Sequence, residues 1–344
     1  MFQTKPTPEA VIKMQTYTNP VYKGYFADPF VWEHQGVYYA IGTGPAEAEG
    51  QVDEIGERLV FPLLQSNDFL NWKEAGKALL RPDPALGDNF WAPEVAYCDR
   101  TFYLYYSVGH EDKNHQLRVA TSDRPLGPYQ DVGPLLDLEE CPFAIDPHPF
   151  CDDDGQWYLF YARDFLDTEG DARVGTALMV DKLQGMTKLE GAGKVVLRAR
   201  FDWQRFLANR PMYGGIYDWH TLEGPCVRKH GGHYYCFYSG GRWETENYGV
   251  DYGIADSVMG PYSDTGNEAG PRVLRSVVDR VLGPGHNSIV LGPDGRTEYI
   301  VYHAWDTSRS ARRMCLDKLI WTPDGPRSDG PTWMPQTIGS KVDP

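Results

Sequence analysis

The sequence predicts an all-β protein, a five-bladed β-propeller, from three observations. A strand-turn-strand unit recurs five times, each copy turns on residues suited to a tight hairpin, and no long stretch shows helical periodicity. The copies run from Asp28 to Gly42, Phe90 to Val108, Ile145 to Ala162, Leu222 to Gly241 and Gly285 to Trp305.

The first unit turns at Gln35-Gly36, the second at Asp99-Arg100, the third at Asp154-Gly155, the fourth at Gly231-Gly232 and the fifth at Asp294-Gly295. Gly, Asp and their neighbours there accept the positive φ that a tight hairpin needs. The return strands are dense in aromatics. Tyr39, Tyr106, Tyr161, Tyr238 and Tyr302 mark them, at spacings of 67, 55, 77 and 64 residues. A four-stranded blade takes roughly 40 to 50 residues plus loops, so five blades beginning near 28, 90, 145, 222 and 285 fill the chain. A weaker echo, Ala120 to Tyr129 against Ala255 to Tyr262, reads as one outer blade element used twice. Phe201 to Asn209, in the longest gap, is expected to form a short helical or irregular insertion. No linker or charge block divides residues 1–344, which read as a single propeller domain.

A net charge of −15 on 344 residues excludes nucleic acid and anionic membrane surfaces as partners, because phosphate binding needs clustered Lys and Arg. A neutral, hydroxyl-rich ligand is not repelled. The six cysteines, Cys98, Cys141, Cys151, Cys226, Cys236 and Cys315, lack C-x-x-C spacing and read mainly as free thiols buried among apolar strand residues. The N-terminus shows no basic region followed by an apolar run, no apolar stretch is long enough to span a bilayer, and no Asn-x-Ser/Thr sequon occurs. These features lead to the expectation of a cytoplasmic protein; they leave the oligomeric state open.

Three acidic residues stand at the heads of repeats: Asp28 in Phe-Ala-Asp-Pro, Asp146 in Ala-Ile-Asp-Pro-His-Pro and Glu223 in Thr-Leu-Glu-Gly-Pro. One isolated Asp-Pro is usually a turn whose side chain caps local N–H groups. A carboxylate at the same place in several copies of a radial repeat instead points to one centre. The run Asp152-Asp153-Asp154 falls inside a hairpin turn and lacks a later bidentate Glu, so it reads as a solvated turn and not a calcium loop.

Taken together, Tyr-Phe-Ala-Asp28-Pro-Phe, Phe-Trp91-Ala-Pro-Glu94, Ala-Ile-Asp146-Pro, Leu-Glu223-Gly-Pro and Gly-Pro-Gly-His286-Asn-Ser resemble glycoside hydrolase family 43. Its members are five-bladed propeller glycosidases acting on xylose- and arabinose-containing plant polysaccharides. The resemblance spans about Asn19 to Trp321. It implies Asp28 as general base, Glu223 as general acid, and Asp146 as the group that raises the acid's pKa and orients it. It also implies inversion, with about 6.5 to 9.5 Å between the acid and base carboxyls. The chemistry asks for such a trio, since an acid Glu stays protonated near neutral pH only where burial or a neighbouring negative charge opposes its ionisation.

The same resemblance makes Trp91 the apolar wall of the sugar site and gives Glu94 a supporting or substrate-contacting role; Phe30, Phe143 and Ile145, beside their neighbouring carboxylates, are expected to extend the wall, and Trp219 and His220, just before Glu223, to shape the leaving-group side. One arginine of the pair Arg312-Arg313 is expected to reach sugar hydroxyls. Strand alternation allows only one to face inward, and Arg312 is preferred. His286 is the candidate metal residue, beside a calcium ion in the central channel, and no organic cofactor is expected. The resulting expectation is an inverting glycosidase releasing xylose or L-arabinofuranose from short plant oligosaccharides. An endo-α-1,5-L-arabinanase of the same family and a non-catalytic carbohydrate-binding propeller are the alternatives. A retaining, invertase-like propeller is disfavoured because its Asn-Asp-Pro-Asn and Arg-Asp-Pro signatures are missing.

Overall fold

The computed structural model describes residues 11–45 and 59–342. Among them no α-helix occurs; three short 3-10 turns, Pro84–Leu86, Glu169–Asp171 and Asp202–Gln204, interrupt an otherwise all-strand chain. The strands form five antiparallel meanders whose innermost members are Ala27–His34, Asn89–Cys98, Ala144–Cys151, Gly215–His230 and Leu282–Leu291. The expected hairpin turns are present. Gln35, Gly36, Asp99, Arg100, Gly231 and Gly232 all have positive φ, as two-residue turns between twisted strands require.

The first, second and fifth blades are four-stranded. The third and fourth are fused into one larger sheet by a short parallel pairing, Gly175 with His220 and Thr176 with Thr221. The outer echo holds too: Tyr129 donates to Pro125 O at 3.0 Å and Tyr262 to Val258 O at 3.1 Å. Phe201 to Asn209 departs from expectation. Only Asp202–Gln204 turns; Arg205–Met212 is a strand that pairs back on Gly215–His230 through a turn with positive φ at Tyr213 and Gly214.

Burial explains why the blades hold together. Five apolar clusters lie at the five seams, each drawing side chains from two neighbouring blades. Ile41, Val60 and Phe61 meet Phe90, Leu104 and Tyr106 between the first two blades, for example, and Phe160 and Leu178 meet Val227 and Tyr238 between the third and fourth. The repeating aromatics therefore serve as inter-blade core, each fully buried one worth about 1.5–3 kcal/mol. Val11–Tyr17 pairs with Gln336–Val342, and Tyr17 and Ile338 complete the seam between the fifth and first blades.

All six cysteines are free; Cys141, Cys226, Cys236 and Cys315 are buried, while Cys151 is exposed. The acidic turn is ion-paired and not merely solvated: Asp152 accepts from Lys229 Nζ at 2.8 Å and from Tyr234 OH at 2.6 Å.

Candidate active site

Every innermost strand carries the same irregularity. Its pairing with the second strand breaks after Ala27, Trp91, Ile145, Glu223 and Gly285 and resumes three residues later. The first skipped residue adopts positive φ in each blade: Asp28 (50°), Ala92 (45°), Asp146 (58°), Gly224 (56°) and His286 (49°). This conformation costs a non-glycine residue about 1–2 kcal/mol, and Asp and His bear it better than most. The second skipped residue is proline in four blades, Pro29, Pro93, Pro147 and Pro225, which removes an N–H that the bulge would strand. A bulge re-aims a side chain, and three of the five, at Asp28, Asp146 and His286, aim theirs into one cleft.

Three bulge N–H groups tie neighbouring blades together. That of Ala92 donates to Thr43 Oγ1 (2.8 Å), that of His286 to Ser239 Oγ (2.7 Å) and that of Asp28 to His303 Nδ1 (3.1 Å), in each case a side chain of the preceding blade. Gly224 N–H goes instead to Asp146 Oδ2 at 2.8 Å.

Above this ring lies a cleft of about 610 Å³ lined by Asp28, Trp91, Ile145, Asp146, Glu223, His286 and Arg312, with Tyr25, Phe61 and Trp243 among further walls. The three carboxylates predicted from sequence thus share one cleft. One detail is corrected: Glu223 does not occupy the position of Asp28 and Asp146. It stands one residue earlier, in register with Trp91 and Ile145, and Gly224 takes the bulge position.

The carboxyls are electrostatically distinct. Burial pushes Asp28 up, but Arg312 foremost, whose Nη1 lies 3.3 Å from Oδ1, with His286 and His303, outweighs it and holds the group well below the usual range. Asp146 is raised by burial, then by the charges of Glu223 and Asp28, against the opposing Gly224 hydrogen bond. Glu223 rises to about 7, burial leading; the Tyr248 hydroxyl, donating to Oε1 at 2.7 Å, pulls it down and Asp28 pushes it up. Glu223 thus adds to the rise of Asp146, while Glu223 owes its own rise to burial and to Asp28, so protons are retained in this pair at neutral pH while Asp28 stays charged.

Arg312 is the inward member of its pair, donating to Asp28 and to Tyr25 OH (2.9 Å), whereas Arg313 turns to Lys23 O, Asp306 and Ser310. Five expectations fail, the first two for one geometric reason. Glu94 and Phe30 sit two residues beyond the bulge, in register with His148, and so belong to a layer below the cleft. There Glu94 Oε2 binds His148 Nδ1 at 2.7 Å, and Phe30 stacks on Trp32. Phe143 packs edge-on against His115, which itself stacks on Trp91 at 3.8 Å, so it lies behind the wall. Trp219 and His220 lie outside the cleft: Trp219 is fully buried and donates to Thr176 Oγ1, and His220 Nδ1 meets Asp218 O.

The residues that sequence reading missed stand in loops or on second strands. Trp243 lies 4.4 Å from the Arg312 guanidinium and parallel to Trp305, whose indole N–H donates to Trp243 O. Tyr248 and His303 stack parallel, 5.9 Å apart, behind Glu223 and Asp28. A Cβ at Gly285 would fall 2.1 Å from the Tyr248 ring, so the close approach of that ring depends on glycine there.

Calcium takes six to eight oxygen ligands. His286 offers nitrogen, and its Nδ1 faces Asp28 Oδ1 at 3.4 Å and Asp146 Oδ2 at 3.9 Å. No three His, Cys, Asp or Glu side chains among the described residues are grouped to hold an ion. The residues at His286 therefore do not build a protein cage for calcium.

The family model of glycosyl hydrolases family 43 matches residues 17–326. A beta-D-galactofuranosidase, xynD, of Aspergillus niger is 30% identical over 329 residues, covering 89% of this chain and 83% of its own. The extracellular endo-alpha-(1->5)-L-arabinanase 1 of Bacillus subtilis is 26% identical, over 87% of this chain and 86% of its own. A crystal structure of a thermostable family-43 glycoside hydrolase superposes with a TM-score of 0.78 at 29% identity, covering 95% of this chain and 100% of that one. The expectation of a cytoplasmic protein is overturned by these relatives, since that arabinanase and the exo-arabinofuranosidases of Cellvibrio japonicus, Streptomyces avermitilis and Streptomyces chartreusis are extracellular proteins. The bulge ring, its three carboxyls and the match over nearly the whole propeller agree: this chain belongs to glycosyl hydrolases family 43 and is a glycoside hydrolase.

Proposed function

We propose that the chain is an inverting exo-glycosidase that releases L-arabinofuranose or xylose from plant-derived oligosaccharides, with Asp28 as general base, Glu223 as general acid and Asp146 as the group that keeps Glu223 protonated. The observation that carries this reading is the opposite displacement of two carboxyls in one cleft, Asp28 well down and Glu223 up to about 7. Asp28 takes a proton from water as the water attacks the anomeric carbon. Glu223 gives its proton to the departing glycosidic oxygen, and the anomeric configuration inverts. Arg312 holds Asp28 ionised, and Trp91 and Trp243 offer flat apolar faces to the sugar's C–H surface. The names of the arabinanase and arabinofuranosidase relatives support a furanose site.

A second reading is favoured by the Aspergillus niger relative. An α-L-arabinofuranosyl and a β-D-galactofuranosyl ring present the same substituent arrangement and differ by one exocyclic carbon, so one pocket serves both where that carbon has room. Aryl α-L-arabinofuranoside, β-D-xylopyranoside and β-D-galactofuranoside, alongside linear arabino- and xylo-oligosaccharides, separate the cases. Single-sugar release that is lost in Asp28→Ala supports the exo reading and its ratio of rates names the sugar. Mid-chain cleavage alone supports the endo-arabinanase, and binding without turnover supports the non-catalytic propeller.

A further inference from the structure

The ring of bulge hydrogen bonds is open at two of its five places, and only the one beside the acid lacks an acceptor side chain on the preceding blade. Opposite the residue preceding each bulge, the second strand presents one side chain: Thr43 opposite Ala27, Ser107 opposite Trp91, Ala162 opposite Ile145, Ser239 opposite Glu223 and His303 opposite Gly285. Three of these five, Thr43, Ser239 and His303, accept the bulge N–H of the next blade at 2.7 to 3.1 Å. Ser107 has an acceptor in the same place, with no partner among the described residues. Only the third blade offers a methyl group. Ala162 is fully buried in the apolar cluster it shares with Leu222 and Val227 of the fourth blade, so its Cβ faces the strand that carries Gly224.

We propose that Gly224 is the positioning residue for Asp146, and that it is free for this role because Ala162 supplies no competing acceptor. A buried N–H left unpaired is costly, and the Gly224 amide is satisfied by Asp146 Oδ2 at 2.8 Å. The hydrogen bond that three other bulge amides make to the preceding blade's second strand is here made to a cleft carboxylate. Because Gly224 follows Glu223 in the chain, this bond fixes Asp146 relative to the acid itself. Glycine suits the position: its φ of 56° strains any side chain, and a Cβ would lie a tight 3.1 Å from the His286 ring. The inference rests on the proposed role of Asp146.

Ala162→Ser places a hydroxyl where Ser239 and Thr43 already hold bulge amides. It is expected to capture the Gly224 N–H and lower kcat on oligosaccharides by about tenfold or more, with KM within about threefold. Dinitrophenyl glycosides, whose leaving group needs no proton, are expected to fall by less than about threefold. Ala162→Gly, without a hydroxyl, keeps kcat. In an Asp146→Ala background the added serine has no further effect, a non-additivity that general loosening of the fold does not produce. Full activity in a folded Ala162→Ser, or an equal loss on both substrate classes, overturns the proposal. Should Ala162→Ser fail to fold, an amide-to-ester replacement at position 224 deletes the donor alone, and unchanged kcat there overturns it equally. If Asp146→Ala itself leaves kcat intact, the role assigned to Asp146 fails instead.

Discussion

The second and third blades stand side by side, carry the same bulge and each bury a carboxyl on the innermost strand, yet only one carboxyl reaches the cleft. Asp146 sits at the bulge, 6% exposed, against Gly224 and Glu223. Glu94 sits two residues past its bulge, 7% exposed, bound to His148. Burial raises both. For Glu94 the rise is opposed by His148 and Arg228, while for Asp146 it is reinforced by Glu223 and Asp28. A shift of two residues along one strand type thus separates a carboxyl that holds blades together from one placed among the carboxyls of the cleft. His148 shows the structural side of this. Its Nδ1 meets Glu94 and its Nε2 accepts the Val227 N–H at 2.9 Å, so one ring ties three blades.

The contrast predicts a double dissociation. Asp146→Ala is expected to lower kcat by about 10²-fold or more with little change in melting temperature. Glu94→Ala is expected to destabilise the fold by about 3 kcal/mol, because His148 loses its buried partner, while kcat at a permissive temperature stays within about threefold. Denaturant melts read beside kcat test both, and a Glu94→Ala enzyme that is stable but inactive would return Glu94 to the site.

Next in size are the walls. Removing Trp91 or Trp243 is expected to raise KM by about tenfold, and His115→Ala, which only unbacks Trp91, by about threefold. Equal effects for all three would mean that the walls do not contact sugar. A smaller shift belongs to Tyr248. Its hydroxyl favours ionised Glu223, so Tyr248→Phe moves the basic limb of kcat/KM, expected near pH 7, upward by up to about one pH unit. The sign is the test, and a downward move would contradict the hydrogen bond's role. Smallest of all is the response to exhaustive chelation, expected to leave the melting temperature unchanged because His286 lacks a protein-built oxygen cage.

Much of this was legible in the chain. Turn residues and aromatic spacing revealed the five units because hairpin chemistry and seam burial are local or strictly repeated. The carboxylates of the cleft were legible because the repeat placed them at blade starts. Glu94 and Phe30 were misread since sequence spacing does not show where a bulge skips two residues, and that skip decides the layer a side chain enters. Trp243 and Tyr248 were missed because they come from the connection after a second strand and its flank, where no repeat sets a frame. Ala162 was invisible for another reason: its contribution is an absent hydroxyl, which has meaning only once Thr43, Ser239 and His303 are seen to make the bond it omits.

The most direct test of the account is the configuration of the first sugar released, followed by proton NMR during hydrolysis. Asp28 activating water opposite a protonated Glu223 predicts that the inverted anomer appears first and that added methanol yields no methyl glycoside of retained configuration. A retained first product would show that a carboxylate attacks the sugar directly, and would contradict the assignment of Asp28 and Glu223.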